Sequence, residues 1–282
     1  MARAMSSWLF KPMPLARVAW LRTILSLFVV VDVLVTTPWV AAHRDVPTGL
    51  YQPLLIGRLL RLPTPTHGLV IATEVAVLVA ALVTATGRLP RVAGAALALL
   101  YLEWMVIANS YGKVDHDRFA FLVALAVLPT VGRASRDDLT TSEAAGWAVR
   151  CIQIGVVATY FLSAFAKLRF GGLGWVNSAV LTRAVLRRGT PLSTPLLHHT
   201  WVLHLSQWGI VAFELASPIV LFVRERWVYF AAGFFLLFHA VTFAAITISF
   251  LPHVMCLLAF LPLERLRLPR LAMQRRAAPA SA

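Results

Sequence analysis

Apolar residues along this chain gather in long runs that are separated by short polar segments. We identify eight such runs, and several reach the ~20 residues that a helix needs to cross a hydrocarbon core. A segment in lipid must satisfy its backbone polar groups internally, as an α-helix does. The pattern therefore predicts an all-α fold, a polytopic membrane helix bundle of about eight helices. The runs cover residues 18–36, 68–87, 91–109, 117–131, 146–168, 202–223, 228–248 and 250–263.

Two connections between these runs are longer than the others, residues 37–67 and 169–201. The first is rich in proline, which favours an ordered irregular cap. The second joins the fifth and sixth helices and begins with glycines that suit the end of a helix. Its middle, 176–188, is compatible with a helix at the membrane surface. Both loops fall on the outer side in the topology given below, and long loops often carry function.

The chain divides into one membrane domain with two flanking segments. Residues 1–17 form a basic amino-terminal segment that we expect in the cytoplasm, and residues 18–265 form the transmembrane domain. Residues 266–282 form a basic tail that ends in Ala, Pro and Ser and is expected to be disordered.

Composition excludes a soluble globular domain, because 59% of the residues are hydrophobic and only 13% are charged. If the amino terminus faces the cytoplasm and all eight runs cross, more Lys and Arg lie inside than outside, and both termini are cytoplasmic. We therefore interpret the net charge of +14 as a signal of orientation in the cell (inner) membrane and an attraction to membrane lipids, not as a nucleic-acid site. The first run is too long for a signal-peptide core, so we expect it to be retained rather than cleaved near Ala42.

Lys167 closes the fifth apolar run and is the first candidate for chemistry. Charge in hydrocarbon is costly, so an embedded lysine is a functional candidate by default. A lysine in apolar surroundings is also a usable base. Lys167 lies about 26 Å beyond Arg150 along a helix, however, which also suits a lysine that anchors the helix at the outer interface.

Further ionisable groups gather toward the same outer side of the predicted bundle, which indicates a polar cavity there. Each also has a structural interpretation: His116 can begin a capped helix, and His239 can be a satisfied interior histidine. Glu214, near mid-depth, is equally compatible with a structural and a functional role. The embedded groups on this side are Asp32, Glu74, Glu103, His116, Lys167, His204, Glu214 and His239.

Metal binding is not expected. His198, His199 and His204 lack the companion ligands and spacing of a zinc motif. Cys151 and Cys256 both lie in apolar runs, where small buried hydrophobes are expected rather than a disulfide or a metal pair.

Several short segments, taken in order, resemble the membrane domain of the vitamin K-dependent γ-carboxylase and its bacterial relatives, the HTTM family. The matches span about residues 109–263. They are His116 with Phe119-Ala-Phe-Leu122; Tyr160-Phe161 through Lys167-Leu168 to Trp175-Val176; Phe213-Glu-Leu-Ala-Ser-Pro218; and Phe238-His239 with Ile248-Ser-Phe-Leu-Pro252-His-Val-Met255.

This resemblance implies a carboxylase-like enzyme with a lysine base. In the carboxylase, a lysine at the position of Lys167 deprotonates reduced vitamin K, and oxygen then converts the quinol into a stronger base that removes a glutamate γ-proton before CO2 adds. The resemblance therefore implies reduced vitamin K or another quinol as the cofactor here. His116 would stabilise the resulting oxyanion, in agreement with the chemistry of a histidine donor.

The other implied site residues are two polar and two aromatic side chains. Glu214 and His239 would orient groups or relay protons deeper in the cavity. Tyr160 and Trp175 are expected to contact the quinol.

The chain also departs from the animal enzyme. Ala166 precedes Lys167 where the enzyme has a second lysine, and Asp115 precedes His116 where it has asparagine. The chain ends soon after its last apolar run, without the large lumenal portion that recognises protein substrates. We therefore expect the membrane chemistry without carboxylation of a propeptide-bearing protein.

Three hypotheses follow. The first is an enzyme, a quinol-dependent carbon-carbon lyase or quinol oxygenase. The second is a non-catalytic HTTM partner in the maturation or export of a secreted peptide or protein. The third is a small-solute transporter, which ranks last because inverted repeats and broken helices are not evident.

Overall fold

The structure, a computed structural model, describes residues 2–112 and 114–266 of the chain. The basic tail predicted over 266–282 lies outside the described residues except for Leu266. Its expected disorder and the division into segments stay predictions.

Helices dominate the described residues. The α-helices are α1 (Ala2–Leu9), α2 (Leu15–Val31), α3 (Leu55–Leu59), α4 (His67–Ala85), α5 (Val92–Asn109), α6 (Phe119–Val127), α7 (Glu143–Asn177), α8 (Val180–Arg188), α9 (Thr200–Ala216), α10 (Glu225–Ile246) and α11 (Leu251–Cys256). A π-helical turn covers Asp32–Thr36, and 3-10 turns cover Pro38–Asp45, Thr48–Leu50, His116–Arg118, Leu128–Val131, Thr194–His198, Ser217–Leu221, Leu257–Phe260 and Leu263–Arg265. Two short strands, β1 (Met13–Pro14) and β2 (Thr141–Ser142), pair antiparallel with Met13 opposite Ser142.

Five helices in the described part of the chain are long and apolar enough to cross a membrane. They are α2 with its π-helical turn, α4, α5, α7 and α10. The remaining three apolar runs fold as shorter α-helices (α6, α9 and α11), each continued by a 3-10 turn. The predicted all-α membrane helix bundle is therefore confirmed.

The first apolar run lies at the centre of the bundle and the seventh at its margin. Of the apolar window in α2, 56% is buried inside the protein, against 22% in α10. Helix α2 packs on α4, α4 on α5, α6 on α7, and α7 on α9. The largest fully buried side chains include Trp104, Tyr101 and Phe121, which fill the space beside α2. Helix α10 therefore presents most of its apolar surface outward, as expected of a helix in contact with lipid.

A buried ion-pair network joins the end of α2 to α5 and to the turn before α6. The fully buried carboxylate of Asp32 accepts hydrogen bonds from Tyr101 Oη at 2.7 Å and from Arg118 at 3.3 Å. Arg118 also donates to Asp117 at 3.0 Å. The π-helical turn positions Asp32, because the backbone carbonyl of Asp32 accepts hydrogen bonds from the Thr37 N–H and from the Thr36 hydroxyl. The network orients the segment that begins with His116.

A second pair fixes the opposite end of α2. Arg17 donates to both carboxylate oxygens of Glu264, at 2.8 and 2.6 Å. Glu264 lies just beyond the last apolar run. Burial alone would raise the pKa of its carboxyl, but the hydrogen bonds from Arg17 outweigh burial and lower that pKa below its usual value.

Gly172 ends the part of α7 that carries Lys167. Helical turns lie on both sides of it, but its own backbone has φ 57° and ψ −158°. Glycine adopts this left-handed region without a steric penalty. The long connection predicted over 169–201 therefore starts with a break in a helix, and its middle contains α8.

We predict that Gly172→Ala destabilises the protein by about 1 kcal/mol, because a Cβ at positive φ is strained even where space is free. Gly174→Ala is the matched control, since that glycine has open space around it and an ordinary φ. Thermal unfolding in detergent measures both. Equal effects of the two substitutions would contradict the role given to the Gly172 backbone.

We also predict that acid weakens the attachment of α2 to the carboxyl-terminal segment. A carboxyl whose pKa is lower in the folded than in the unfolded protein adds stability above its unfolded pKa of about 4.3, and this is lost as pH falls through the folded pKa. The melting temperature should therefore fall below about pH 4.3, and it should fall less in Glu264→Gln. A Glu264→Gln variant with an unchanged pH profile would contradict the assignment.

Candidate functional site

Lys167 lies against Glu214 of the neighbouring helix. The Lys167 Nζ atom donates to Glu214 Oε1 at 2.7 Å and to Oε2 at 2.5 Å. Their side chains are 20% and 7% exposed. The sequence analysis placed Lys167 and Glu214 among the polar groups that gather toward one side of the bundle, and in the structure the two are in direct contact. Helix α9 packs on α7 and brings the Glu214 carboxylate to the level of Lys167.

Two further groups complete the surroundings of the amine. Ser163, one turn before Lys167 on α7, accepts a hydrogen bond from Nζ at 2.8 Å. The Trp175 ring has its centroid 5.3 Å from Nζ, a distance at which a cation is attracted by the face of an indole. Trp175 follows the Gly172 break, so this break turns the chain back toward Lys167.

Tyr160 and His239 form a second pair. Tyr160 lies two turns before Lys167 on α7, and His239 lies on α10. The Tyr160 hydroxyl and His239 Nε2 are hydrogen-bonded at 2.7 Å. Both residues are buried. Around the Tyr160 ring stand Phe213 of α9 and Phe235 of α10, with centroids 5.2 and 4.9 Å away. A polar pair in this aromatic shell is shielded from water, which strengthens its electrostatic interactions.

His253 adds a third polar side chain to this pair. Its ring centroid lies 4.6 Å from that of Tyr160 and 5.3 Å from that of His239. Only 1% of His253 is exposed, and neither of its ring nitrogens has a hydrogen-bond partner among the described residues. His239 Nδ1 also lacks one. An unsatisfied buried polar group costs about 1–3 kcal/mol, so three such nitrogens together indicate a place for a polar group or ordered water.

His116 stands apart from the two pairs. It opens the 3-10 turn before α6 and is exposed, with its ring centroid 6.4 Å from that of Phe250. The centroid of the same Phe250 ring lies 5.3 Å from the centroid of the His239 ring. His116 is also within electrostatic range of Glu214 and of His253. It therefore lies at the margin of the site, with an aromatic ring between it and the buried histidines.

Most of the predicted site residues thus lie along one face of α7 and its neighbours. Tyr160, Ser163 and Lys167 follow one another at spacings of three and four residues, which places them on the same face of a helix. Glu214 and His239 approach that face from α9 and α10. Among the described residues no group of three or more His, Cys, Asp or Glu side chains could hold a metal ion.

The comparison with protein families gives one match. The model of the HTTM domain matches residues 10–264. The chain belongs to the HTTM family. This match confirms the family resemblance seen in the sequence, and together with the apolar helices it makes the chain a membrane protein of that family. No curated protein and no solved structure matches the chain.

Sequence reasoning missed two members of this candidate site. Ser163 was detectable, because it precedes Lys167 by four residues in a predicted helix. His253 was noticed only as part of a family motif, and its local sequence gives no sign that its ring meets Tyr160 and His239. That contact depends on the packing of α11 against α7.

We predict that the Lys167–Glu214 pair is energetically coupled. Lys167→Met or Glu214→Met alone leaves one partly buried charge without a partner and should cost about 2–3 kcal/mol. The double variant removes both charges and should melt above the less stable single variant. Thermal unfolding in detergent measures the three proteins, with Arg169→Met as the control for losing an exposed cation. Additive single effects would contradict the coupling.

Proposed function

We propose that this HTTM protein is an enzyme that transfers protons to and from a quinol-type substrate within the membrane. The observation that carries the proposal is the arrangement on α7. The Lys167–Glu214 pair and the Tyr160–His239 pair lie on one helix face. Acid–base groups in a chamber shielded from water are typical of a catalytic site.

The residues present fit a quinol, which has two hydroxyls on an aromatic ring and an apolar tail. The unpartnered nitrogens of His239 and His253 can bind a hydroxyl oxygen or proton. The rings of Trp175 and Phe250 can stack on a second aromatic ring. Such a quinol supplies an acidic hydroxyl and a ring that oxygen can oxidise.

The Lys167–Glu214 pair would act as the base. One proton leaves the substrate hydroxyl and arrives at Lys167 Nζ, while the proton that Nζ held passes to a Glu214 oxygen. The pair changes from ammonium and carboxylate to ammonium and carboxylic acid, so it gains one proton in total. Ser163 accepts from Nζ throughout and keeps the amine in place.

The Tyr160–His239 pair would hold and move protons on the other side of the site. Its 2.7 Å hydrogen bond fixes the orientation of the imidazole through Nε2 and leaves Nδ1 for the substrate. His116, at the margin, would stabilise developing negative charge from outside the Phe250 ring.

An apolar cavity offers space for a tail. It has a volume of about 330 Å³ between the end of α9 and the start of α10. Phe213 and Phe235 belong to its wall, and both rings also contact Tyr160. Trp227 and Phe230 also line this cavity, and both side chains are exposed on the surface of the bundle. A hydrocarbon chain here would join the lipid to the aromatic shell of Tyr160.

The test is quinol-dependent oxygen consumption by the protein in nanodiscs, with the oxidised product identified by mass spectrometry. Reduced vitamin K is the probe. We expect Lys167→Met to lower the rate at least about 100-fold, the lower range for a lost acid–base group. Arg169→Gln, two residues away and exposed, should retain the wild-type rate. An equal rate in wild type and Lys167→Met would contradict the proposed base.

A second candidate function is a non-catalytic partner that binds a secreted peptide or protein at the same site. One observation favours it: every hydrogen of the Lys167 ammonium has an acceptor in Ser163 and Glu214, as in a purely structural pair. In that case the quinol would be neither consumed nor bound. Absence of both quinol binding and turnover in the wild-type protein would select this function.

A further inference from the structure

A basic surface lies on α8, outside the candidate site described above. Arg183, Arg187 and Arg188 are all exposed, and none of them forms an ion pair with a described residue. The chain contains no Asp or Glu between Glu143 and Glu214, so no nearby part of the sequence can neutralise them. We call these three arginines the α8 surface.

The α8 surface is carried on a firmly attached helix. Val185 is buried against Leu203 of α9 and Ile246 of α10. Gln207 of α9 accepts from the Leu181 backbone at 2.8 Å and donates to the carbonyls of Val176 and Ser178, both at 2.9 Å. The helix is therefore fixed before any ligand arrives, and binding to it does not pay for ordering a loop.

The segment after α8 is attached as firmly. The hydroxyls of Thr190 and Ser193 donate to the carbonyls of Ala244 and Ala245, at 2.6 and 2.5 Å. Gly189 packs so closely on the Val185 carbonyl that a Cβ would lie 2.4 Å from its oxygen. These contacts place α8 across the end of the bundle where α7 and α10 end and α9 begins.

Apolar side chains share the outward face of α8 with the arginines. Leu186 is 69% exposed, and it lies one turn after Arg183 on the same side of the helix. Leu192 and Trp201, on either side of the next 3-10 turn, are 67% exposed each. Exposed leucine and tryptophan are favourable against hydrocarbon, and guanidinium groups are favourable among headgroups. This combination fits the boundary between hydrocarbon and headgroups better than it fits water.

We propose that the α8 surface binds the phosphate headgroups of anionic phospholipids, with Leu186 in the adjoining acyl region. The guanidinium group suits phosphate because its planar donors can bind two oxygens at once. The occupant follows from the unpaired positive charge together with the exposed Leu186 beside Arg183 and the exposed Leu192 and Trp201 in the segments that follow α8. An acidic peptide would satisfy the charge and would leave Leu186 in water.

The experiment measures lipids bound to the purified full-length protein by native mass spectrometry, after exchange into mixed phosphatidylglycerol and phosphatidylcholine micelles. Wild type should retain phosphatidylglycerol in preference. Arg183→Gln/Arg187→Gln should bind it roughly thirtyfold more weakly, because each cation at an anionic membrane surface strengthens binding about fivefold. Arg183→Lys/Arg187→Lys should keep most of the preference.

The matched control is Arg224→Gln/Arg226→Gln, which removes two exposed arginines at the start of α10 and should keep the wild-type preference. Equal losses in the two glutamine variants, or no loss in either, would overturn the assignment to α8. A poly-glutamate peptide that binds wild type in place of phosphatidylglycerol, and is lost with Arg183 and Arg187, would also overturn it in favour of an acidic protein partner. Size-exclusion profiles show that each variant is folded, and the readout does not depend on enzymatic activity.

Discussion

A charge that leaves water for the interior of a membrane protein needs a partner, and this requirement organises the whole bundle. Asp32 meets it with Arg118, and Glu214 meets it with Lys167. Each pair joins elements that are far apart in sequence: the first connects α2 to the turn before α6, and the second connects α7 to α9. The helices can therefore pack only in arrangements that keep both pairs together.

The hydrophobic pattern was sufficient to predict the helices, because helical period and membrane thickness are local properties of a sequence. It could not predict partners. Lys167 and Glu214 are 47 residues apart and Arg118 and Asp32 are 86 apart. No local pattern links such residues, so the sequence could place Lys167 and Glu214 on the same side of the bundle but could not show that they form a pair. The family resemblance supplied Tyr160, Lys167, Glu214 and His239 as a set, and the structure brings them together in pairs.

Two different environments thus adjoin at one end of the molecule. The site beside α7 is largely buried and surrounded by aromatic rings, and its polar groups form two hydrogen-bonded pairs with His253 beside one of them. The α8 surface is open and positively charged. Gly172 separates them, because its left-handed backbone stops the helix of Lys167 and returns the chain as Trp175 and then α8. A single glycine therefore allows the proposed catalytic site and the proposed lipid-binding surface to be neighbours.

Gln207 and Glu214 hold α7 from the same helix, two turns apart. The amide of Gln207 binds the carbonyls at the end of α7, and the carboxylate of Glu214 binds Lys167. Helix α9 can slide or tilt only by moving both attachments at once. Inserting one residue between them would turn one attachment away by about 100° relative to the other. The seven-residue separation of Gln207 and Glu214 along α9 therefore determines how α9 is aligned with α7.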